Sequence, residues 1–400
     1  MRGIDALSVR AFTVLDTYLR PDARAPVLLA LSGGSDSTAM ALITADWARA
    51  NGRDLMVCTI DHRLTPDSLA WTQTCADLAA RLKLPFTTRA WLDDKPTTGL
   101  PAKARQARHL LLCTAARDFG VRVILMGHTS DDQVEAVAMR ASGSTTPSPR
   151  TWAPAPLWPE GRGLFILRPL LAERRAALRS WLAARGETWI DDPANANLKF
   201  ARARARARIA IDPGAAAPPA QDRSELSRVA QNVRMDVGGG LHLDRRTLYG
   251  LSPSTRRELV AILCLCAAGT ARPPRAQRVE AVVELLMGDR DGVLGLAGAR
   301  IAARGDALTF AREIGELKRR PHHQVPGVWD GRYEVTSNEG LVPAWGRLKT
   351  LSSGDEAFAR DLTPAVRHTL PYREGLELNA RPLALDRFEA ATGLISQEPV

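Results

Sequence analysis

Through the first half of the chain, short aliphatic runs alternate with longer stretches in which apolar residues recur every three or four positions. Val27 to Leu31, Leu55 to Ile60 and Val121 to Met126 read as buried strands, with a shorter one near Phe86 to Ala90. Between them, Ala39, Leu42, Ile43 and Trp47 fall on one helical face, and Cys75, Leu78, Ala79 and Leu82 on another. Thr65-Pro66-Asp67 supplies a cap, a first-turn proline and an acid where that second helix begins. A third helix is predicted from about Ala102 to Phe119, with Leu111, Leu112, Ala115 and Phe119 inward. An amphipathic helix carrying Leu7, Ala11, Val14, Leu15 and Leu19 comes first and ends at Pro21. Strand alternating with helix in this way predicts an α/β fold: a doubly wound, mostly parallel, Rossmann-like sheet. Such sheets bind ligands outside the carboxyl ends of their strands.

Beyond residue 140 the pattern loosens. Residues 141–163 are rich in Ser, Thr, Pro and Gly and read as an irregular loop holding Trp152 and Trp158. Phe165 to Leu167 reads as a short strand, and Leu171 to Ala184 as a helix turning Leu178, Trp181 and Leu182 inward. Helices near Arg256 to Ala268 and Arg275 to Met287, a hairpin from Leu294 to Arg312 and a strand near Tyr333 to Thr336 make a smaller C-terminal α+β region. The expected division is a first domain over 1–212, a linker over 213–240 and an accessory region over 241–400.

The first strand runs into Ser32-Gly33-Gly34-Ser35-Asp36-Ser37, and helical periodicity resumes at Thr38. A strand passing through a glycine turn into a helix N-terminus aims successive N–H groups at one spot, where an anion is favoured. The serine hydroxyls add donors, so the loop is a candidate phosphate cradle. It lacks the lysine of GxxxxGK[ST] and the spacing of GxGxxG. Asp36 lies inside it instead, which suits a site where Mg²⁺ accompanies a departing pyrophosphate. A plain glycine turn with a capping serine is the other reading, and it leaves the run of six phosphate-suited residues to chance.

The other informative strands end in equally useful residues. Asp61-His62 closes the second strand, where a base or ribose can rest, although a solvated capping acid would read the same. Gly127-His128 follows the fourth strand, and Asp131, Asp132 and Glu135 lie on the helix start behind it. Adjacent carboxylates with no lysine to neutralise them call for a shared cation, with Mg²⁺ the expected one, or else serve the helix dipole. Arg105 and Arg108 share a helix face, free for phosphate or solvent. Lys199 to Arg208, KFARARARAR, holds five positive charges and no acid, with Arg202 and Arg206 on one face and Arg204 and Arg208 on another. Like charges at this spacing oppose one another, so the segment asks for a counter-anion such as RNA.

Net charge is +10, which favours an anionic macromolecular partner. The five cysteines (Cys58, Cys75, Cys113, Cys264, Cys266) form no CxxC and are expected to be buried free thiols in a reducing compartment. No apolar run reaches the roughly 18 residues of a membrane span, and a cytoplasmic location is expected.

Together these residues resemble the tRNA(Ile)-lysidine synthetases, PP-loop enzymes with an adenine nucleotide alpha hydrolase-like sheet. The resemblance rests on Leu31 to Ser37, Asp61-His62, Ala104-Arg105-Gln106-Ala107-Arg108, Gly127 to Glu135, Arg168-Pro169-Leu170-Leu171 and Trp189-Ile190-Asp191-Asp192-Pro193 before the basic run. It implies that ATP adenylates the C2 oxygen of the wobble cytidine of CAU-anticodon tRNA(Ile), and that the L-lysine ε-amine then displaces AMP. It implies ATP and Mg²⁺ as cofactors, tRNA(Ile) and L-lysine as substrates, and leaves a homodimer open. By carry-over, Ser32, Gly33, Gly34, Ser35, Asp36, Ser37, Asp61 and His62 would hold the nucleotide. Asp36, Asp131 and Asp132 would lie at the metal. Asp36, His128, Asp131, Asp132 and Arg105 would serve catalysis, and Arg108, Lys199, Arg202, Arg204, Arg206 and Arg208 would contact RNA. Thr129 stands where many members have a second histidine, and 141–163 replaces their glycine-rich turn. A tRNA thiolase, which needs paired cysteines, and a non-catalytic RNA-binding relic are the alternatives.

Overall fold

A computed structural model describes residues 5–144, 147–193, 201–211, 222–319, 325–344, 362–372 and 380–399. The chain forms two units, one of Met1–Pro156, Gly163–Gln221 and Ser396–Val400, the other of Leu157–Arg162 and Asp222–Ile395.

In the first unit, strands β1 (Val27–Ala30), β2 (Leu55–Asp61), β3 (Phe86–Ala90), β4 (Val123–Met126), β5 (Trp152–Pro154) and β6 (Phe165–Leu167) form one sheet in the order β3-β2-β1-β4-β6-β5. All pairs are parallel except β5 with β6. Successive residues of β1 serve opposite faces. Leu29 packs with helices α1 (Ala6–Tyr18), α2 (Ser35–Asn51) and α3 (Ser68–Arg81), whereas Leu28 packs with Leu112 and Cys113 of α4 (Leu100–Asp118). Burial on both faces is why these strands read as continuous apolar runs. Helices α5 (Ser130–Ala141), α6 (Arg175–Ala183) and α7 (Ala201–Ile211) complete the unit. From β1 the chain winds outward through β2 to β3, then crosses back to β4 on the other side of β1, so the strand order reverses between β1 and β4. A doubly wound sheet opens its crevice at this switch point.

Two parts of the pattern fold differently from the expectation. Residues 152–154, inside the expected loop, form the edge strand β5, where Pro154 needs no ladder partner for a missing N–H. The ring of Trp152 stacks on Phe165 at 4.8 Å between centroids and on Tyr18 at 5.5 Å. The helix expected from Leu171 begins only at Arg175. Far along the chain, the Glu398 carboxylate accepts from Arg53 and from the Arg20 N–H (3.1 Å), with Glu398 and Arg53 both buried.

The long segment of the second unit starts at Asp222, inside the stretch read as linker. Residues 222–240, read as linker, hold a helix at Ser224–Ala230 and a short strand at Arg234–Met235. A five-stranded antiparallel sheet, with helices Pro253–Ala268 and Ala276–Met287 sharing its core, gives the expected α+β character. All five cysteines are free and buried. Among the described residues no helix is long and apolar enough to cross a membrane.

Candidate active site

The loop after β1 is a preformed N-terminus. Helix α2 starts at Ser35 behind Gly34, which is extended and provides no side-chain cap, so its first N–H groups are left for a ligand. The loop holds itself open through its own hydroxyls. Ser37 Oγ donates to the Gly34 carbonyl (3.0 Å) and lies 3.0 Å from Ser32 Oγ, while Thr38 Oγ1 donates to the Gly33 carbonyl (3.1 Å). Gly33 has φ of +79°, and a β-carbon there would fall 2.4 Å from Ile190 Cδ1. Gly127, at the end of β4, is equally constrained: a β-carbon would lie 2.8 Å from Ser37 N and 2.9 Å from the Asp36 carbonyl. Only glycine lets the end of β4 meet the start of α2.

The carboxylates come together as the strand-end argument expects, but arginines hold them. Arg175 donates from Nε to Asp36 (2.9 Å), from one terminal nitrogen to Glu135 (3.1 Å) and from the other to Asp132 (3.3 Å). Its backbone N–H donates to Asp131 (2.8 Å), which also pairs with Arg174. Asp132 additionally caps α5 by accepting the Thr129 N–H (2.7 Å), so the helix-start reading of this acid holds beside its place in the cluster. Arg202 bonds both Asp132 and Glu135, and Arg206 bonds Glu135 (2.6 Å). Burial, with Asp132 nearby, raises the pKa of Asp36 despite Arg175. For Glu135 burial also pushes upward, but Arg202 and Arg206 outweigh it and the pKa falls.

The counter-anion for α7 is therefore internal. Arg202 and Arg206, expected to face RNA, turn to Asp132 and Glu135, while Arg204 is exposed. Lys199 and the side chain of Arg208 lie outside the described residues.

Asp61 is buried and accepts the Arg63 N–H (2.9 Å), which closes a turn at the end of β2. His62 beside it has a buried Nδ1 with no partner among the described residues, and burial lowers its pKa to about 4. His128 is also buried. Arg168 Nε donates to its Nδ1 (3.1 Å), so the ring proton sits on Nε2. Burial, reinforced by Arg168, holds its pKa well below the usual range. His128 is thus a neutral donor and a poor base.

Two cavities open here. One of about 440 Å³ is lined by Ser32, Gly34, Ser37, Ile60, Asp61 and Thr65. The other, about 550 Å³, is lined by Arg105, Asp132, Glu135, Met139 and Arg202. His62, Arg108 and His128 line both. Neither Arg105 nor Arg108 has a carboxylate partner among the described residues, and burial lowers the pKa of each. Such a surplus of charge beside a cavity awaits an anion.

Among the described residues no three His, Cys, Asp or Glu side chains are gathered tightly enough to hold a metal ion. Asp36 and Asp132 nevertheless converge on one cation, the Arg175 guanidinium, and a carboxylate pair completed by nucleotide phosphates is the ordinary Mg²⁺ arrangement. The donors fit. Three residues of the site escaped sequence reasoning: Arg175, which looks like one more basic residue of a helix start; Arg168, noted only within a motif; and Glu173, whose carbonyl takes the Ser130 N–H (2.9 Å) while Arg10 holds its carboxylate.

A family profile described as a PP-loop domain matches residues 8–212. The tRNA(Ile)-lysidine synthase of Caulobacter vibrioides is 41% identical over 96% of this chain and 98% of its own length. That of Brucella anthropi is 33% identical over 79% of this chain and 75% of its own, and that of Hyphomonas neptunium 31% over 85% and 93%. Among solved structures, the tRNA thiolase NcsA of Methanococcus maripaludis superposes with a TM-score of 0.42 and 14% identity, over 52% of this chain and 74% of that one.

Proposed function

The chain belongs to the tRNA(Ile)-lysidine synthase family, and from that premise we infer how its residues divide the work. It is an ATP-dependent ligase that adenylates C2 of the wobble cytidine of CAU-anticodon tRNA(Ile) and joins L-lysine there, releasing AMP and pyrophosphate. One observation carries the assignment of residues: the phosphate-loop cavity and the arginine-lined cavity share a wall at His62, Arg108 and His128.

In this reading ATP occupies the smaller cavity, its phosphates on the N–H groups of α2 and its base near Ile60 and Asp61. The wobble cytidine enters the larger cavity, where Arg105 and Arg108 take its phosphates. The C2 oxygen then meets the α-phosphorus at the shared wall. His128, neutral with its proton on Nε2, donates to the oxygen that gains charge rather than removing a proton. Asp132 borders the larger cavity and receives the lysine amine, while Asp131 fixes the backbone of Arg175 and acts by positioning. Mg²⁺ brought with ATP would lie at Asp36 and Asp132 and neutralise the departing pyrophosphate. Residues of α7 outside the carboxylate cluster, Arg204 foremost, and the preceding Lys199 meet the RNA backbone.

The thiolase alternative finds no support in the cysteines. Cys58, which lines the nucleotide cavity, is pushed by burial to a pKa of about 12 and stays a thiol.

The test is lysidine formation from ATP, Mg²⁺, L-lysine and a CAU-anticodon tRNA(Ile) transcript, read by mass spectrometry after digestion, with wild type and His128→Leu. We expect lysidine from wild type and a fall of about 100-fold in kcat for the variant, the scale of one lost transition-state donor. A variant with an unchanged rate would remove the shared wall as the place of reaction.

A further inference from the structure

Arg175 is bound in an unusual way. Its three guanidinium nitrogens serve three different carboxylates: Asp36 on α2, and Asp132 and Glu135 on α5. No pair is the bidentate fork that gives an arginine its strongest hold on one acid. Two of the three acceptors do not depend on it. Asp132 and Glu135 both keep Arg202, and Glu135 keeps Arg206 as well. Asp36 does depend on it, since among the described residues its only other side-chain partner is the neighbouring Ser35 hydroxyl at 3.1 Å. The base of the side chain is pinned, because the Arg175 N–H is held by Asp131 at 2.8 Å, so a change of partner is made by the long stem alone.

Asp36 is the second residue of α2, so Arg175 sits beside the open N–H groups that await phosphate. A divalent cation and a guanidinium repel one another and so compete for the Asp36 carboxylate.

We propose that Arg175 is an exchangeable counter-cation, which holds Asp36 in the empty enzyme and releases it only when a polyphosphate oxygen offers the guanidinium another partner. The exchange makes the site selective. Free Mg²⁺ would have to displace Arg175 from Asp36 with no new anion to replace the lost bond, whereas Mg²⁺ arriving with pyrophosphate or ATP supplies both the cation for Asp36 and a fresh anion for Arg175. When Arg175 turns away, Glu135 keeps Arg202 and Arg206, and Asp132 keeps Arg202 until Mg²⁺ or the lysine amine reaches it, so the exchange leaves no other carboxylate bare. This inference rests on the proposed placing of phosphate at α2 and of Mg²⁺ at Asp36.

Thermal melting of the full-length protein tests it without turnover, using Mg²⁺ alone, inorganic pyrophosphate alone and both together. The wild type is expected to gain stability only from the pair. Arg175→Met leaves Asp36 uncompensated: it should melt lower in EDTA, recover with Mg²⁺ alone, and need about tenfold more pyrophosphate for the combined effect, as for one lost charge-assisted contact. If Arg175→Met fails to fold, Arg175→Gln carries the same test, since a neutral amide also leaves Asp36 without its counter-cation. A wild type that responds to Mg²⁺ alone as the variant does, or a variant whose responses match the wild type, overturns the exchange. Lysidine formation by the wild type is measured separately, so failure here and failure of the activity are distinguishable.

Discussion

The side chain of Ile190 fills the space that a β-carbon on Gly33 would need, and the Ile190 N–H donates to the Gly33 carbonyl at 2.9 Å. The segment before the basic run therefore closes over the phosphate loop and holds it in its left-handed turn. Gly33→Ala meets both obstacles at once, the positive φ and the contact with Ile190. The backbone strain alone is about 1–2 kcal/mol, and relief requires either the loop or Ile190 to move. We expect a melting temperature lower by a few degrees and a large loss of ATP affinity, measured by calorimetry. Ile190→Ala in the same background should recover part of that affinity.

Glu135 binds Arg175, Arg202 and Arg206 together. Glu135→Gln keeps the shape and removes the charge, leaving guanidinium groups against a neutral amide in a half-buried site. A loss of about 3 kcal/mol follows from breaking such a pairing on one side. Trypsin should then cut within α7 sooner than in the wild type, which mass mapping of early fragments would show.

Three histidines share one direction of shift. Burial lowers His62 to about 4 and His109 to about 2, and holds His128 well below its usual value. The unfolded chain therefore binds more protons below pH 6.5, and stability falls as pH falls from there through the folded values. Each histidine contributes a slope of up to about 1.4 kcal/mol per pH unit in that window. Urea unfolding at pH 7.5 and 5.5 should show the loss. His109→Gln should make it smaller, and an unchanged slope would mean that His109 protonates as easily folded as unfolded.

Arg105 and Arg108 carry charge beside the larger cavity with no carboxylate partner among the described residues. If they meet RNA phosphates, Arg105→Ala and Arg108→Ala should each weaken tRNA binding. Each should also flatten the dependence of log K on log salt by about 0.7–0.9, the share of one phosphate contact. Filter binding from low to moderate salt measures both effects. Weaker binding at an unaltered slope would point to a shape contact instead.

Much of the site was legible because the strands announce themselves. A run such as Val27 to Leu31, apolar at every position, marks a strand buried on both faces, and whatever follows its carboxyl end lies where ligands bind. Ser32, Asp61 and His128 follow from that rule. Arg175 does not, because its partner Asp36 stands 139 residues away and nothing local distinguishes an inward arginine from a solvated one. The basic run was legible as a charge excess but not in its direction, since the acids that receive Arg202 and Arg206 lie on another helix. Composition misled at two places. Proline and serine hid the edge strand at Trp152, and the glycines after Asp236 suggested a linker. There the Asp236 carboxylate instead ties the N–H groups of Gly238 (3.0 Å) and Gly240 (2.8 Å) into a tight turn.

Arg53 and its buried partner Glu398 are separated by 345 residues, and the whole second unit is encoded between them. On a ribosome the sheet of the first unit emerges well before Glu398, so Arg53 at first lacks this acid. Every residue of the second unit must be translated before that acid exists. The ion pair thus closes only after the second unit has been translated, and a product cut short before Glu398 would leave the Arg53 guanidinium to the Arg20 and Ala25 carbonyls.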